Sequence, residues 1–354
     1  MIITRYHNME ELRLTVEFLT PTFLGGADQN AELRAAPFKN LLRQWWRVAV
    51  GSHYANHKDM LSAEGDLFGA VLDDNQASAS KVRLALTPVE GSFFLSEKGF
   101  FFGKTTHIEV KGGMAVDNSL YLGFGPITYQ KGKTELKRYI APGSKAILLL
   151  SFPREKKAHM ADLLHYIDAF GTIGSRSRNG WGSLSLSGEG FARHDVQAFA
   201  TAPATRLVGD GQGRQYPSQL GADSKGILCW EIGVQEGNDW KTAMQSLAET
   251  YMTLRTKINI KPQGLKERHL LGYPVTNHAL TEWGGNNGRM PSQLRLMVKR
   301  NPVDRLVGRI LHLPHCLPED KPWNNRLGSP LDIWKTVHLH LDADKHFHRC
   351  GGAQ

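Results

Sequence analysis

The chain has 354 residues, which suggests about two domains and allows a hydrophobic core without disulfides. Hydrophobic residues make up 41% and charged residues 22% of the sequence, a globular composition that argues against wholesale disorder. There are 43 Lys and Arg residues against 34 Asp and Glu residues, so the net charge is +9, which favours a polyanionic partner such as nucleic acid.

The sequence predicts no membrane segment, because no run approaches 18 apolar residues. Its N-terminus lacks the apolar stretch of a secretory signal peptide. The three cysteines, Cys229, Cys316 and Cys350, form no C-x-x-C pair. We therefore expect a reducing, cytoplasmic location and no contact with a membrane.

Apolar residues alternate or recur at helical spacing through the first half of the chain. The predicted elements are a strand at 12–18, a helix at 37–53, strands at 81–88 and 145–152, a helix at 158–170 and a strand at 183–187. Residues 90–142 are irregular and are interpreted as a long insertion. The order β-α-β-β-α-β is that of a ferredoxin-like (RRM-like) domain, which we assign to residues 1–190.

A second unit of similar pattern follows the aperiodic residues 191–225, which are interpreted as a linker. Its predicted elements are a strand at 227–234, a helix at 240–254, strands at 294–299 and 306–313, and a helix at 331–341. The predicted fold class is therefore α+β, with two ferredoxin-like domains, the second at 226–354. No sequence repeat is visible, so the duplication is inferred from the pattern alone.

The first predicted helix combines cations with tryptophan. Lys39, Arg43 and Arg47 recur every four residues beside an apolar face, with Trp46 between the two zones. No acidic residue stands four positions from any of these cations, so the helix itself offers them no ion pairs. We expect the cations to meet RNA phosphates and a base to stack on an exposed edge of Trp46. The alternative is a solvated basic face over a packed core.

A loop rich in glycine and arginine follows the helix predicted at 158–170. Gly174 and Gly180 permit positive φ angles and close approach to a ligand. Arg176 and Arg178 supply donors suited to phosphate, and successive backbone N–H groups can form an anion-binding nest. This glycine-rich loop runs from Gly171 to Gly182 and includes Trp181.

These two segments read R-x-x-x-F-K-x-L-L-R-x-W-W-R, from Arg34, and G-x-I-G-S-R-S-R-x-G-W-G-S. Together they resemble the RAMP superfamily and, within it, the family of the first subunit of the Cmr complex, a type III-B CRISPR ribonucleoprotein effector. Residues 288–294, including Arg289, resemble a segment of that family's second domain. Asn40 departs from the pattern, because the family usually has glycine there.

The resemblance implies a non-catalytic RNA-binding subunit near the 3′ end of the guide RNA, which helps to capture target RNA for antiviral defence. The implied partners are guide RNA, target RNA and the other Cmr subunits, with no cofactor and no metal. The implied RNA-binding residues are Arg34, Lys39, Arg43, Trp46, Arg47, Gly174, Arg176, Arg178, Gly180, Trp181 and Arg289.

Three alternatives stay open. A metal-independent RAMP endoribonuclease that processes guide RNA could use residues that directly follow the first helix. A His there would act as general base on a 2′-OH, and a Lys would stabilise the phosphate charge.

A zinc site could draw on the histidines and cysteines near the C-terminus, although no standard spacing is met. A purely structural subunit could bind protein through Trp323 and Trp334. The two candidate groups are His53, Tyr54, His57 and Lys58 for catalysis, and His312, His315, Cys316, His338, His340, His346, His348 and Cys350 for zinc.

Overall fold

The computed structural model describes residues 8–28, 30–54, 56–73, 76–107, 113–203, 219–233, 239–258, 265–275, 278–315, 317, 321, 323 and 328–350. The strands are β1 Met9–Phe18, β2 Ala70–Asp73, β3 Gln76–Ser78, β4 Arg83–Pro88, β5 Leu95–Ser96, β6 Lys104–Thr106, β7 Ala115–Asp117, β8 Ile127–Gln130, β9 Lys133–Leu136, β10 Tyr139–Ile140, β11 Lys145–Pro153, β12 Leu184–Ser187, β13 Ala202–Pro203, β14 Gly221–Asp223, β15 Gly226–Ile227, β16 Cys229–Gly233, β17 Leu294–Arg300, β18 Leu306–His312 and β19 His348–Arg349. The helices are α1 Ala35–Val50, α2 His57–Phe68, α3 Asn118–Gly123, α4 Lys157–Phe170, α5 Trp240–Lys257 and α6 Pro330–Asp342.

The first unit is a four-stranded antiparallel sheet with the strand order β12-β1-β11-β4. Leu14, Val16 and Phe18 alternate along β1, and they are buried in one core with the apolar faces of α1 and α4. The six elements predicted in this half are present, in the predicted order β-α-β-β-α-β. They are β1, α1, β4, β11, α4 and β12. Helix α2 was not predicted.

The second unit repeats this arrangement. Its sheet has the strand order β17-β18-β16-β19, again antiparallel, and its core contains residues of α5 and α6. The sequence pattern predicted β-α-β-β-α here, whereas the structure adds β19 as a fourth strand. This strand has only two residues, so it carries no recognisable alternation.

The insertion at 90–142 is built from short elements, β5 to β10 and α3, and residues 108–112 lie outside the described part. Leu122, Ile127 and Tyr139 of the insertion share a core with the second unit. The region predicted as a linker, 191–225, contributes β13 and β14 to a small sheet with β15, and residues 204–218 lie outside the described part. Strands of two to four residues are too short for a periodicity signal, which is why the sequence suggested irregular structure.

The two units meet along the outer face of the second sheet. Leu296 of β17 faces the second core, whereas Met297 belongs to the core of the first unit. The Nζ of Lys299 donates to the carbonyls of Ile167, Gly171 and Leu184 at 3.1, 2.6 and 2.7 Å. Two of these contacts place the Lys299 amine from the other unit at the C-terminal end of α4. Within the described ranges, no helix is both long and apolar enough to cross a membrane.

Candidate nucleic-acid interface

The first turn of helix α1 has no acidic residue to balance the partial positive charge of its N–H groups. Arg34 is the N-cap residue, no side chain caps the helix, and its first turn contains no acidic residue. The first N–H groups of a helix lack internal partners and carry partial positive charge. Arg34 is exposed and Lys39 is half-buried, and neither has an ion pair with a described residue. Burial and the charge of Arg43 lower the pKa of Lys39. This end of α1 can attract an anion.

The other two cations of helix α1, Arg43 and Arg47, both pair with one buried carboxylate. The Nε of Arg43 lies 2.5 Å from an oxygen of Glu64, and Arg47 makes two hydrogen bonds to the same carboxylate. Glu64 comes from α2, and its side chain is fully buried, while those of Arg43 and Arg47 are 28% and 41% exposed. The sequence argument that these cations lack an acidic partner is therefore wrong, because it considered only α1. Both arginines keep donors for phosphate, but they also hold two helices together.

Trp46 cannot stack on a base in this structure. Only 4% of its surface is exposed, and its ring packs against Tyr54 and Phe68. The prediction of an exposed indole edge is wrong, because α2 covers the side of α1 that an isolated helix would leave open. Trp45 is buried as expected, with its ring stacked on Phe170.

The glycine-rich loop is held by the segment that follows β1. Gly174 has φ +92°, and a Cβ there would lie 2.6 Å from the carbonyl oxygen of Phe23. Gly180 is buried, and its Cβ would meet Met244 of α5. The two glycines therefore permit close packing inside the protein, and Gly180 does not line an RNA-accessible rim as predicted.

Several backbone N–H groups of the glycine-rich loop donate to carbonyls of the protein, so fewer of them can bind an anion. Ser175 donates to Phe23, and Gly182 donates to Pro21. Asn179 donates to the carbonyl of Arg176 within the loop. The capacity of this loop for anions therefore lies mainly in its arginine side chains.

The two loop arginines differ in their surroundings. Arg176 is exposed, and its Nε donates to the carbonyl of Phe124 in the insertion. Arg178 is half-buried and makes no side-chain hydrogen bond or ion pair with any described residue. Burial lowers the pKa of both guanidinium groups. Trp181 is fully buried against Phe23, which corrects its assignment to the RNA surface.

Arg289 lies on an exposed loop of the second unit. Its Nη1 donates to the carbonyls of Asn286 and Gly288 at 2.6 and 2.8 Å. A β-bridge between Tyr273 and Met290 fixes the base of this loop. The remaining guanidinium donors of Arg289 stay accessible.

The open face of the first sheet lacks the aromatic side chains with which RRM domains stack bases. On the two central strands, this face presents Arg13 and Thr15 of β1 and Ile147 and Leu149 of β11. Base stacking on an RRM sheet requires rings at such positions. RNA binding at this face by stacking is therefore not supported.

Sequence reasoning missed Glu64 and Arg295. Glu64 follows Met60 at i+4 and precedes Leu67 at i+3, so it interrupts a buried stripe of α2. A carboxylate in such a stripe indicates a buried ion pair. Arg295 lies in a strand of alternating apolar and polar residues, where a polar side chain normally faces solvent. The sequence therefore did not indicate that this arginine is covered by the first unit.

The residues of the ribonuclease alternative are only partly brought together. His53 is exposed, and its ring lies 6.4 Å from that of His159. Tyr54 packs on Trp46, and burial raises the pKa of its hydroxyl. His57 and Lys58 are exposed in the first turn of α2.

Two of the histidines near the C-terminus, His312 and His338, lie against each other. The Nδ1 of His312 lies 2.8 Å from the Nε2 of His338, and both rings are buried. The sulfur of Cys350 lies 3.3 Å from that of Cys229, and Cys316 is outside the described residues. In the part of the chain that the structure describes, no three potential metal ligands cluster. Of the two tryptophans in the structural alternative, Trp334 is fully buried and Trp323 is partly buried.

Parts of this chain are similar to known proteins. Residues 15–185, just under half of the chain, match the RAMP superfamily. The chain is also similar to the CRISPR system Cmr subunit Cmr1-2 of Pyrococcus furiosus, at 25% identity over 188 residues, which are 50% of this chain and 96% of the relative.

Two solved structures are also similar. The apo crystal structure of Cmr1 from Pyrococcus furiosus matches with a TM-score of 0.49 and 16% identity, over 97% of this chain and 99% of that chain. The cryo-EM structure of the type III-B Cmr-beta bound to cognate target RNA matches with a TM-score of 0.47 and 13% identity, over 87% of this chain and 95% of that chain. In sequence, the chain is therefore similar to RAMP proteins and to a Cmr1 subunit.

Proposed function

We propose that this chain is a non-catalytic RNA-binding subunit of a type III-B CRISPR effector in the cytoplasm. It would lie near the 3′ end of the guide RNA, help to capture target RNA and contact the other Cmr subunits. The observation that carries the proposal is the similarity to the Cmr1-2 subunit, which extends over 96% of that relative. The net charge of +9 suits an RNA partner.

The fold proposal is that both units are ferredoxin-like and arose by duplication. In each unit, the four strands stand in the sheet in the order fourth, first, third, second of their sequence order. One helix follows the first strand and one follows the third in both units. The second unit thereby matches the first in both strand order and connectivity.

The surface chemistry favours sequence-tolerant binding through the RNA backbone. Arg34, Lys39 and Arg178 have no ion pair within the described part of the chain, so their charge is available to phosphate. Trp46 is buried, which removes the predicted stacking surface, and Trp181 is buried as well. We therefore expect single-stranded RNA to be held by charge, with little readout of its bases.

The proposal that the chain does not cleave RNA is supported by Tyr54. This side chain packs on Trp46 and is only partly accessible, so it is poorly placed to work with His53 on a substrate. Cleavage that persists in EDTA would favour the ribonuclease instead and would direct attention to His53 and His57.

The test measures binding of the purified protein to labelled single-stranded RNA, duplex RNA and single-stranded DNA across a salt series, with gels to detect cleavage. We expect salt-sensitive binding to single-stranded RNA and an intact product. R34Q and K39Q should each weaken binding and reduce the log–log salt slope by about 0.7 per lost phosphate contact. K335Q, which removes an exposed lysine of α6, serves as the control. Unchanged affinity and slope in both R34Q and K39Q would contradict the assignment.

A further inference from the structure

Two arginines from different units are neighbours at the junction between the units. A parallel β-bridge joins Asn179 of the glycine-rich loop to Leu296 of β17, and the N–H of Leu296 donates to the carbonyl of Arg178 at 2.8 Å. Arg178 directly precedes Asn179 in the chain, and Arg295 directly precedes Leu296. They therefore project to the same side of adjacent backbones, which lie about 4.8 Å apart in such pairing.

Arg295 is enclosed by the first unit without being paired. Its guanidinium carbon lies 5.4 Å from the centre of the Trp45 ring, and its Nε is buried with no hydrogen-bond partner in the described part of the chain. Arg178 makes no side-chain hydrogen bond or ion pair within the same part. Burial and the charge of Arg178 lower the pKa of Arg295 to about 9.

Two other buried arginines, Arg309 and Arg349, each have a carboxylate partner. Arg309 pairs with Glu231 at 2.6 Å, and Arg349 pairs with Asp223 and Asp342 at 2.9 and 2.8 Å. A guanidinium removed from water normally needs such a partner, because desolvation of an unpaired charge is unfavourable. The Arg178–Arg295 pair departs from this pattern, and its two charges repel each other as well.

We propose that Arg178 and Arg295 form a binding site for one phosphate group of the RNA backbone, at the junction of the two units. A phosphate presents oxygens to both guanidinium forks, neutralises the repulsion and satisfies the Nε of Arg295. Trp45 fixes the plane of Arg295 through its ring face. This inference rests on the proposed function for the identity of the ligand, and it assigns to Arg295 a role that the sequence did not suggest.

The experiment compares the full-length protein with R295M and R178M, using R13Q as a control on the open face of the first sheet. R295M keeps an apolar side chain on Trp45 but removes the charge. Thermal unfolding is measured in inorganic phosphate and in chloride at equal ionic strength. RNA affinity is then measured across salt for each variant.

We expect phosphate to raise the melting temperature of the unmodified protein and of R13Q, and to have little effect on R295M or R178M. In chloride, R295M should be at least as stable as the unmodified protein, because the repulsion is gone. Each junction variant should bind single-stranded RNA about tenfold more weakly near physiological salt, with a salt slope lower by about 0.7.

The outcomes separate the two proposals. Phosphate stabilisation that depends on Arg295 supports the site even if the unmodified protein binds no RNA, and in that case only the proposed function fails. If RNA binding is strong and both R295M and R178M bind as tightly and with the same slope, the site is overturned while the proposed function stands. Equal phosphate stabilisation of all variants also overturns the site.

Discussion

At the scale of single residues, Glu64 decides what the cations of α1 can do. Burial by itself would raise the pKa of this carboxyl, but hydrogen bonds and charges from Arg47 and Arg43 outweigh burial and hold the pKa below its usual value. A buried carboxylate with two guanidinium partners stabilises the packing of α2 on α1. Substituting Arg43 or Arg47 would therefore disturb the packing of these two helices.

We predict that E64Q destabilises the protein by about 2 kcal/mol near neutral pH. Removing one member of a buried ion pair typically costs about 3–5 kcal/mol, and the partial exposure of both arginines reduces the loss here. Urea unfolding of E64Q, with E135Q on the exposed strand β9 as control, measures the difference. Equal stability of E64Q and E135Q would show that the ion pairs contribute nothing.

The same residue predicts a pH dependence. Because the pKa of Glu64 is lowered in the folded state, its contribution to stability is fully present above the unfolded-state value of about 4.5. The contribution is lost as the pH falls through the folded-state value. The stability difference between the unmodified protein and E64Q should therefore be constant from about pH 7 to 5 and shrink below about 4.5. A difference that grows on acidification would contradict this account.

At the scale of elements, the glycine-rich loop is shaped by packing before it can act on a ligand. The resemblance to RAMP proteins suggested that Gly174 and Gly180 line an RNA site, whereas each lies against protein. Their positive φ angles bring Arg176 and Arg178 to positions next to the insertion and β17. The two glycines therefore act by placing the arginines of the loop.

We predict that G174A destabilises the protein by about 1–3 kcal/mol. Alanine would be strained at φ +92°, and its Cβ would press on the backbone of Phe23, which cannot move aside as a flexible side chain could. G99A is the matched control, since a Cβ at Gly99 has nothing within 4 Å. Thermal unfolding of both variants measures the effect, and a G174A protein as stable as G99A would be inconsistent with the packing described here.

At the scale of the whole molecule, the two units are joined by buried polar contacts as well as by apolar packing. Lys299 caps three carbonyls of the first unit, and Arg309 donates to the carbonyl of Ala169 at 3.0 Å. Such contacts fix the orientation of the units, because hydrogen bonds require a specific geometry. The Arg178–Arg295 pair exists only in that orientation.

We predict that K299M lowers stability by about 3 kcal/mol, since the three buried hydrogen bonds of the Lys299 amine are lost and each contributes about 1 kcal/mol net. The unmodified protein should unfold in one transition, and K299M should begin to separate the transitions of the two units. Calorimetry of K299M beside K345M, which alters an exposed lysine, provides the measurement. A single unshifted transition in K299M would rule out this coupling.

Much of the fold was accessible from the sequence, because long elements carry periodic patterns. The alternation along β1 and β11 and the helical spacing in α4 and α5 predicted elements that the structure contains. The glycine- and arginine-rich loop was located correctly between α4 and β12. The short strands of the insertion and β19 were not predicted, since their two to four residues show no periodicity.

Local sequence thus determined most of the long elements, although not α2, because propensity and periodicity act over a few residues. It also determined where the cations of α1 and the loop lie along the chain. Tertiary structure alone decided which of those cations are paired and which indoles are accessible. Glu64 neutralises α1 from another helix, and the outer face of β17 is covered by the first unit. The neighbours Arg178 and Arg295 are 117 positions apart in sequence, since 295 − 178 = 117, and only packing of the two units brings them together.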